Sequence, residues 1–164
     1  MLLELGYAPT NCLGLGPGVY RIQPFLAQAD GPAGGGLCFN LQQQLGENSP
    51  FGYFGRFGFG DSDVSAGASA QVGAGLVMQA PLNYPGLSSR LSADLLGIGF
   101  VWSQPSATTR TVYHQNEYIL ETFYALQLTS TLKIEPNLQF VFNPVFSPSH
   151  DHASVFQLQL ALAW

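Results

Sequence analysis

Charged side chains are scarce enough in this chain to be weighed one by one: five Lys or Arg and ten Asp or Glu in 164 residues. The densest polar group runs from Asn116 to Gln139, where Glu117, Glu121, Lys133, Glu135, Asn137 and Gln139 stand among leucines and aromatics. Two carboxylates are the minimal apparatus for general acid–base hydrolysis, one protonated and one ionised. On an extended strand, Glu117 and Glu121 are separated by about 13 Å of backbone, at ~3.3 Å per residue. Carboxylate pairs that cleave glycosidic bonds sit about 5 to 9.5 Å apart, so these two are not such a pair. No GxSxG motif occurs, and a Ser–His nucleophile would need both groups held on adjacent strands. His150, Asp151 and His152 fall instead in a segment that reads as a solvated polar loop, and no residue cluster reads as a metal or cofactor site. GLGPG, Gly14 to Gly18, is turn chemistry, because a phosphate loop needs a following helix and a lysine. What is left is binding chemistry: amides and a few charges that exchange hydrogen bonds with hydroxyl groups.

Those side chains need an element that aims them. The tail VFQLQLALAW, Val155 to Trp164, sets Phe156, Leu158, Leu160, Leu162 and Trp164 on one face and Gln157, Gln159, Ala161 and Ala163 on the other. A period of two is an extended strand. Nine such segments occur, at roughly 1–7, 18–27, 36–45, 51–59, 67–80, 95–104, 116–128, 132–142 and 154–164. In the third, Leu37, Phe39, Leu41 and Leu45 alternate with Cys38, Asn40, Gln42 and Gln44, and Gln43 breaks the pattern. In the sixth, Leu96, Ile98, Phe100 and Trp102 oppose Gly97 and Gly99. The fifth is small throughout, with Ala74, Leu76 and Met78 its clearest apolar residues.

The seventh and eighth segments flank only Thr129, Ser130 and Thr131, and a short hairpin loop fixes the register. With Leu128 opposite Leu132, Gln127 meets Lys133, Ala125 meets Glu135, Phe123 meets Asn137 and Glu121 meets Gln139 on one side. Leu126 with Ile134, Thr122 with Leu138, Leu120 with Phe140 and Tyr118 with Phe142 occupy the other. A one-residue slip would place Glu121 and Glu135 among the leucines.

Composition says what the apolar face meets. Charged residues are 9% of the chain and hydrophobic residues 46%, with mean hydropathy +0.15. A typical soluble domain carries about 25% charged residues. No window holds the ~18 consecutive apolar residues of a spanning helix. Lipid leaves no backbone group unsatisfied, so the alternative spanning structure is a closed barrel of alternating strands. A net charge of −5 and pI near 4.8 argue against nucleic acid, which calls for basic patches. The expected fold is therefore all-β, an antiparallel transmembrane β-barrel.

Short turns are periplasmic and long loops external in outer-membrane barrels. The 129–131 turn and Trp164 are then periplasmic, with 8–17, 46–50 and 81–94, while 28–35, 60–66, 105–115 and 143–153 are external. Phe59, Trp102, Tyr118 and Phe142 then fall near the outer ends of their strands on the lipid face, as an aromatic girdle requires, and Trp164 anchors the inner one. Cys12 and Cys38 are placed at opposite ends and are expected to be unpaired.

NEYILETFYALQLTSTLKIEPNLQFVFNP, Asn116 to Pro144, resembles the carboxyl-terminal hairpin of the OprB-type carbohydrate-selective porins. LQQQLGENSPFGYFGRFGFGDSDV, Leu41 to Val64, and LSADLLGIGFVWSQPS, Leu91 to Ser106, resemble the same family. The resemblance implies a water-filled, monomeric or homotrimeric barrel in the Gram-negative outer membrane through which small sugars diffuse. It also implies assembly by the barrel-assembly machinery through the strand ending in Trp164. Members form barrels of about sixteen strands, and nine antiparallel strands cannot close because the first and last would run parallel. Residues 1–164 are thus read as the carboxyl-terminal part of one barrel domain; MLLELGYAPTNCLGLG lacks a basic region and carries Glu4, so it is not a signal peptide.

In such a pore the lumen-facing candidates are Arg21, Gln23, Asn40, Gln42, Gln44, Arg56, Glu117, Glu121, Glu135, Asn137 and Gln139, with Arg56, Glu121 and Glu135 foremost because charge is rare. The plainer role for each is to wet the channel. Inward Phe54 or Phe123 either stacks on a sugar ring or packs the wall. A general or ion-selective pore and a structural barrel or adhesin are the competing functions.

Overall fold

The structure, a computed structural model, describes residues 1–28, 33–61, 68–80, 94–107, 115–145, 147 and 149–162. Nine strands lie among them: β1 (Leu5–Tyr7), β2 (Gly18–Gln28), β3 (Ala33–Gln44), β4 (Phe51–Gly60), β5 (Ala68–Gln79), β6 (Leu95–Pro105), β7 (Glu117–Gln127), β8 (Leu132–Phe142) and β9 (His152–Leu162). They form one antiparallel sheet in sequence order, each strand bonded to the next. From β2 onward every strand has 10 to 12 residues, enough for a tilted strand to cross a bilayer.

Register sorts the side chains into two faces. The row Val72, Trp102, Tyr118, Phe142, His152 runs across five strands on one side. The row Gly99, Glu121, Gln139, Val155 runs on the other. The first side is apolar and open: Phe156 is 70% exposed and Leu160 62%, and Ile98, Phe100 and Phe140 are exposed too. Among the described residues only Ala125, Val141 and Val145 are buried hydrophobics. The described residues enclose no hydrophobic core of ordinary size, and an apolar face this large calls for a nonpolar environment.

The β7–β8 register agrees with the turn-derived pairing from Tyr118↔Phe142 to Gln127↔Lys133. Ala125 and Glu135 are not among the ladder pairs; they flank Pro136, which has no N–H to donate. The ends of other strands differ from expectation. β1 keeps only three residues plus an isolated bridge, Leu2↔Phe25, because Pro24 opposite it can accept from Leu3 N but cannot donate. β3 begins at Ala33, so the β2–β3 connection is four residues long rather than a long loop. β9 begins at His152, opposite Phe142, which puts a histidine inside a strand. Residues 81–93, 62–67, Val64 among them, and Trp164 lie outside the described residues.

One end of the sheet carries the 45–50 and 128–131 turns and the 8–17 segment, and is called the turn end below. These connections interlock: Gly46 N donates to Leu15 O at 2.7 Å, and Asn11 Nδ2 to Glu47 Oε1 at 2.9 Å. Gly46 has φ +118°, a conformation side-chain-bearing residues rarely adopt. Gly16, φ +92°, packs so closely on Gly46 that a Cβ would lie 3.2 Å from its carbonyl oxygen.

Candidate functional site

The eleven candidates, Gln23 and Gln44 among them, all stand on the polar face. Arg21, Asn40 and Arg56 form one cross-strand row on β2, β3 and β4. Gln42 lies one step nearer the turn end, opposite Val19 and Phe54. Glu121 faces Gln139, Asn137 faces Phe123 and Gln157, and Glu135 faces Gln159. Glu117 is at the far end of β7, opposite Ser103. The alternation of each strand brings these groups together; no loop is needed to do so.

Their hydrogen bonds divide them. On β7 and β8, Asn137 Nδ2 donates to one oxygen of Glu121, and Gln139 Nε2 donates to the other at 3.3 Å. Lys133 Nζ lies 2.8 Å from Glu135 Oε2. Glu117 Oε2 accepts from Val145 N at 2.9 Å, which ties the start of the following loop to the wall. Each acid of this wall thus has a donor. On β2 to β4 the arrangement is looser. Arg21 lies 3.7 Å from Glu4, with both side chains about half exposed, so the pair contributes little. Gln23 bridges Glu4 and Asn40. Arg56 and Gln42 have no side-chain hydrogen bond or ion pair among the described residues. Arg56 thus presents five donors with no protein acceptor among the described residues.

Between these walls lies a low, uncharged floor on β5 and β6: Gly73, Gly75 and Val77 beside Gly97, Gly99 and Val101. A Cβ on Gly75 would collide with the ring of Phe54, and one on Gly97 with the ring of Phe123. The glycines exist so that inward rings from β4 and β7 can lie across the neighbouring backbone.

Several residues that sequence reasoning missed shape the turn end. Gln43, the break in the β3 pattern, is 3% exposed on the apolar face. Its amide nitrogen donates to Gly16 O and Gln44 O, and its oxygen accepts from Tyr20 Oη. The 8–17 segment folds over it, so the polar residue is enclosed and satisfied. Asp94 is fully buried, accepting from Tyr124 Oη at 2.9 Å and Gln127 N at 2.8 Å. On β1 and β2, Tyr7 stacks at 6.3 Å on Tyr20, the partner of Gln43. Tyrosines thus gather at the turn end of the apolar face, while Phe59, Trp102, Tyr118 and Phe142 occupy the other end of that face. Cys12 lies in the turn-end segment and Cys38 on the polar face of β3; both thiols are free. His150 Nδ1 lies 3.0 Å from the hydroxyls of Ser147 and Ser149, and among the described residues no group of three potential metal ligands converges.

No curated protein matches the chain by sequence. The fold is similar to a solved structure, the high pH structure of Pseudomonas putida OprB, with a TM-score of 0.76 at 19% identity. That likeness covers 98% of this chain and 47% of the other, so the chain spans about half its length. The family model for carbohydrate-selective porins, OprB family, matches residues 26–162. A nine-stranded sheet with an open apolar face and a polar face agrees with that match, and the chain belongs to the carbohydrate-selective porin, OprB family.

Proposed function

We propose that this chain forms the carboxyl-terminal part of the wall of an outer-membrane porin through which small sugars diffuse passively. The observation that carries the reading is the two-faced sheet: an exposed apolar side suited to outer-membrane lipid, and a side bearing Arg21, Asn40, Gln42, Arg56, Glu117, Glu121, Glu135, Asn137 and Gln139 suited to a water-filled lumen. Amides and sparse charges match the alternating donors and acceptors of a polyhydroxyl solute. The family's selectivity for carbohydrates supports sugars over ions as the cargo. Nothing in this chemistry calls for a cofactor or a catalytic step.

The rest of the barrel wall comes from further strands, bringing the total to about sixteen, with assembly as a homotrimer and insertion by the barrel-assembly machinery at the β9 end. The turn end is assigned to the periplasm from the three-residue 129–131 hairpin. Connection length supports this only in part, because the β2–β3 connection at the opposite end has four residues while Ala8–Pro17 at the turn end has ten.

Liposome swelling tests the function. Vesicles carrying the protein should swell in isotonic glucose and more slowly in an isotonic zwitterionic solute of equal size. Equal rates would indicate a general pore, and no swelling in either would indicate a barrel without transport.

A further inference from the structure

The connection that follows β8 leans back over the sheet at the end opposite the turn end. Phe142 closes β8 on the apolar face, paired with Tyr118 and His152. Three residues on, Val145 N donates to Glu117 Oε2 at 2.9 Å, and Glu117 stands on the polar face opposite Ser103. The chain thus crosses from the lipid side to the lumen side and folds toward β7. Asn143 makes the crossing: its φ is +52°, a left-handed conformation that asparagine adopts more readily than most residues. Its Nδ2 donates to Asn116 O at 3.2 Å, and its N donates to Asp151 O at 2.8 Å, which closes the neck of the connection. Beyond the neck, Ser147 N donates to Pro144 O and His150 N to Ser147 O, so the connection is wound on itself. Val145 is only 6% exposed, and Ser103, Pro105 and Ser106 at the same end of β6 are buried as well.

We infer that Glu117 is a positioning residue: it latches the β8–β9 connection over the lumen side of the wall, and the latched connection sets the upper size of solute that the pore admits. This role rests on the proposed pore but holds whichever solute crosses it. A carboxylate suits a latch, because in its ionised form it only accepts, and its bond from a backbone N–H is roughly twice as strong as a neutral one. Burial of Val145 limits the access of water to that bond and so strengthens it. The neck bond between Asn143 and Asp151 is separate from the latch. Breaking the latch therefore frees a connection that keeps its own turns and swings about its neck. Glu121 and Glu135 differ, since they bond to side chains of their own wall and hold no connection in place.

The test compares the swelling of liposomes in isotonic glucose and in isotonic raffinose, a trisaccharide, for the native protein and for Glu117→Ala, Glu117→Gln and Asn143→Gly. The native protein should admit glucose faster than raffinose. Glu117→Ala removes the acceptor and should raise the unlatched share about tenfold, seen as a severalfold rise in the raffinose-to-glucose ratio of rates. Glu117→Gln loses the charge but keeps a carbonyl acceptor, so its ratio should stay within about twofold of the native one. Asn143→Gly keeps the left-handed backbone, loses the bond to Asn116 and should give a smaller rise than Glu117→Ala. Equal rises in Glu117→Gln and Glu117→Ala would make the charge, and not the latch, the cause and would overturn the role. A native ratio in both Glu117→Ala and Asn143→Gly, with glucose entry intact, would also overturn it and leave the porin role standing. Raffinose entry as fast as glucose entry in the native protein would show that the connection sets no limit. If Glu117→Ala does not insert, Asn143→Gly decides. Native protein that swells in neither solute would remove the pore and the latch together.

Discussion

The β2–β4 wall and the β7–β8 wall are built by the same alternation, yet they use their polar residues differently. On β7–β8, carboxylates and amides bond to one another: Glu121 takes Asn137 and Gln139, and Glu135 takes Lys133. On β2–β4, Arg56 and Gln42 point from the same kind of backbone with no protein partner among the described residues. The first wall is a hydrogen-bonded frame and the second is an offered surface. Scarce charge alone therefore does not identify ligand contacts; what matters is whether neighbours have already satisfied it.

The largest effect that would break this contrast is on stability. Replacing Glu121 with Leu strands two amide groups on the frame and should cost about 2 kcal/mol, read as a lower urea midpoint for folding into vesicles. Replacing Arg56 with Leu strands nothing and should leave the midpoint within about 0.5 kcal/mol. Equal losses would mean the two walls are alike.

A smaller effect should appear in sugar block, with the order reversed. Arg56→Gln should weaken glucose block by about 1 kcal/mol, or roughly fivefold, if its guanidinium holds a hydroxyl in the lumen. Glu121→Gln should change block less, because its oxygens are occupied by Asn137 and Gln139. A stronger effect at Glu121 would show that ligand displaces those amides and would make the acid wall the binding wall.

Much of this was legible from local rules. Period two placed the faces, and the three-residue turn fixed the β7–β8 register, because both depend on nearest neighbours along or across strands. The same rules placed Arg21, Asn40 and Arg56 on one face but could not align them in a single row, since that requires the β2–β3 and β3–β4 registers, whose connections are less constraining. Gln43 read as a flaw for a related reason: two of its three partners, Tyr20 and Gly16, are more than twenty residues away. Asp94 sits beside a segment with no pattern, and its burial depends on Tyr124 and Gln127 from β7. Which acids are satisfied is equally non-local. The family and the sugar came from resemblance, since alternation by itself describes any barrel.

The most direct test of the central claim, that one face of this sheet lines water and the other meets lipid, is thiol accessibility along β3. Leu37, Phe39 and Leu41 alternate there with Cys38, Asn40 and Gln42, so single cysteines can be compared in a Cys12→Ser background. Native Cys38 serves as one site and is replaced by Ser when the others are probed. In intact liposomes, a charged, membrane-impermeant thiol reagent should modify cysteine at 38, 40 and 42 and spare it at 37, 39 and 41. Equal labelling of both sets, or the opposite alternation, would contradict the assignment of faces and with it the lumen on which the sugar-conducting role depends.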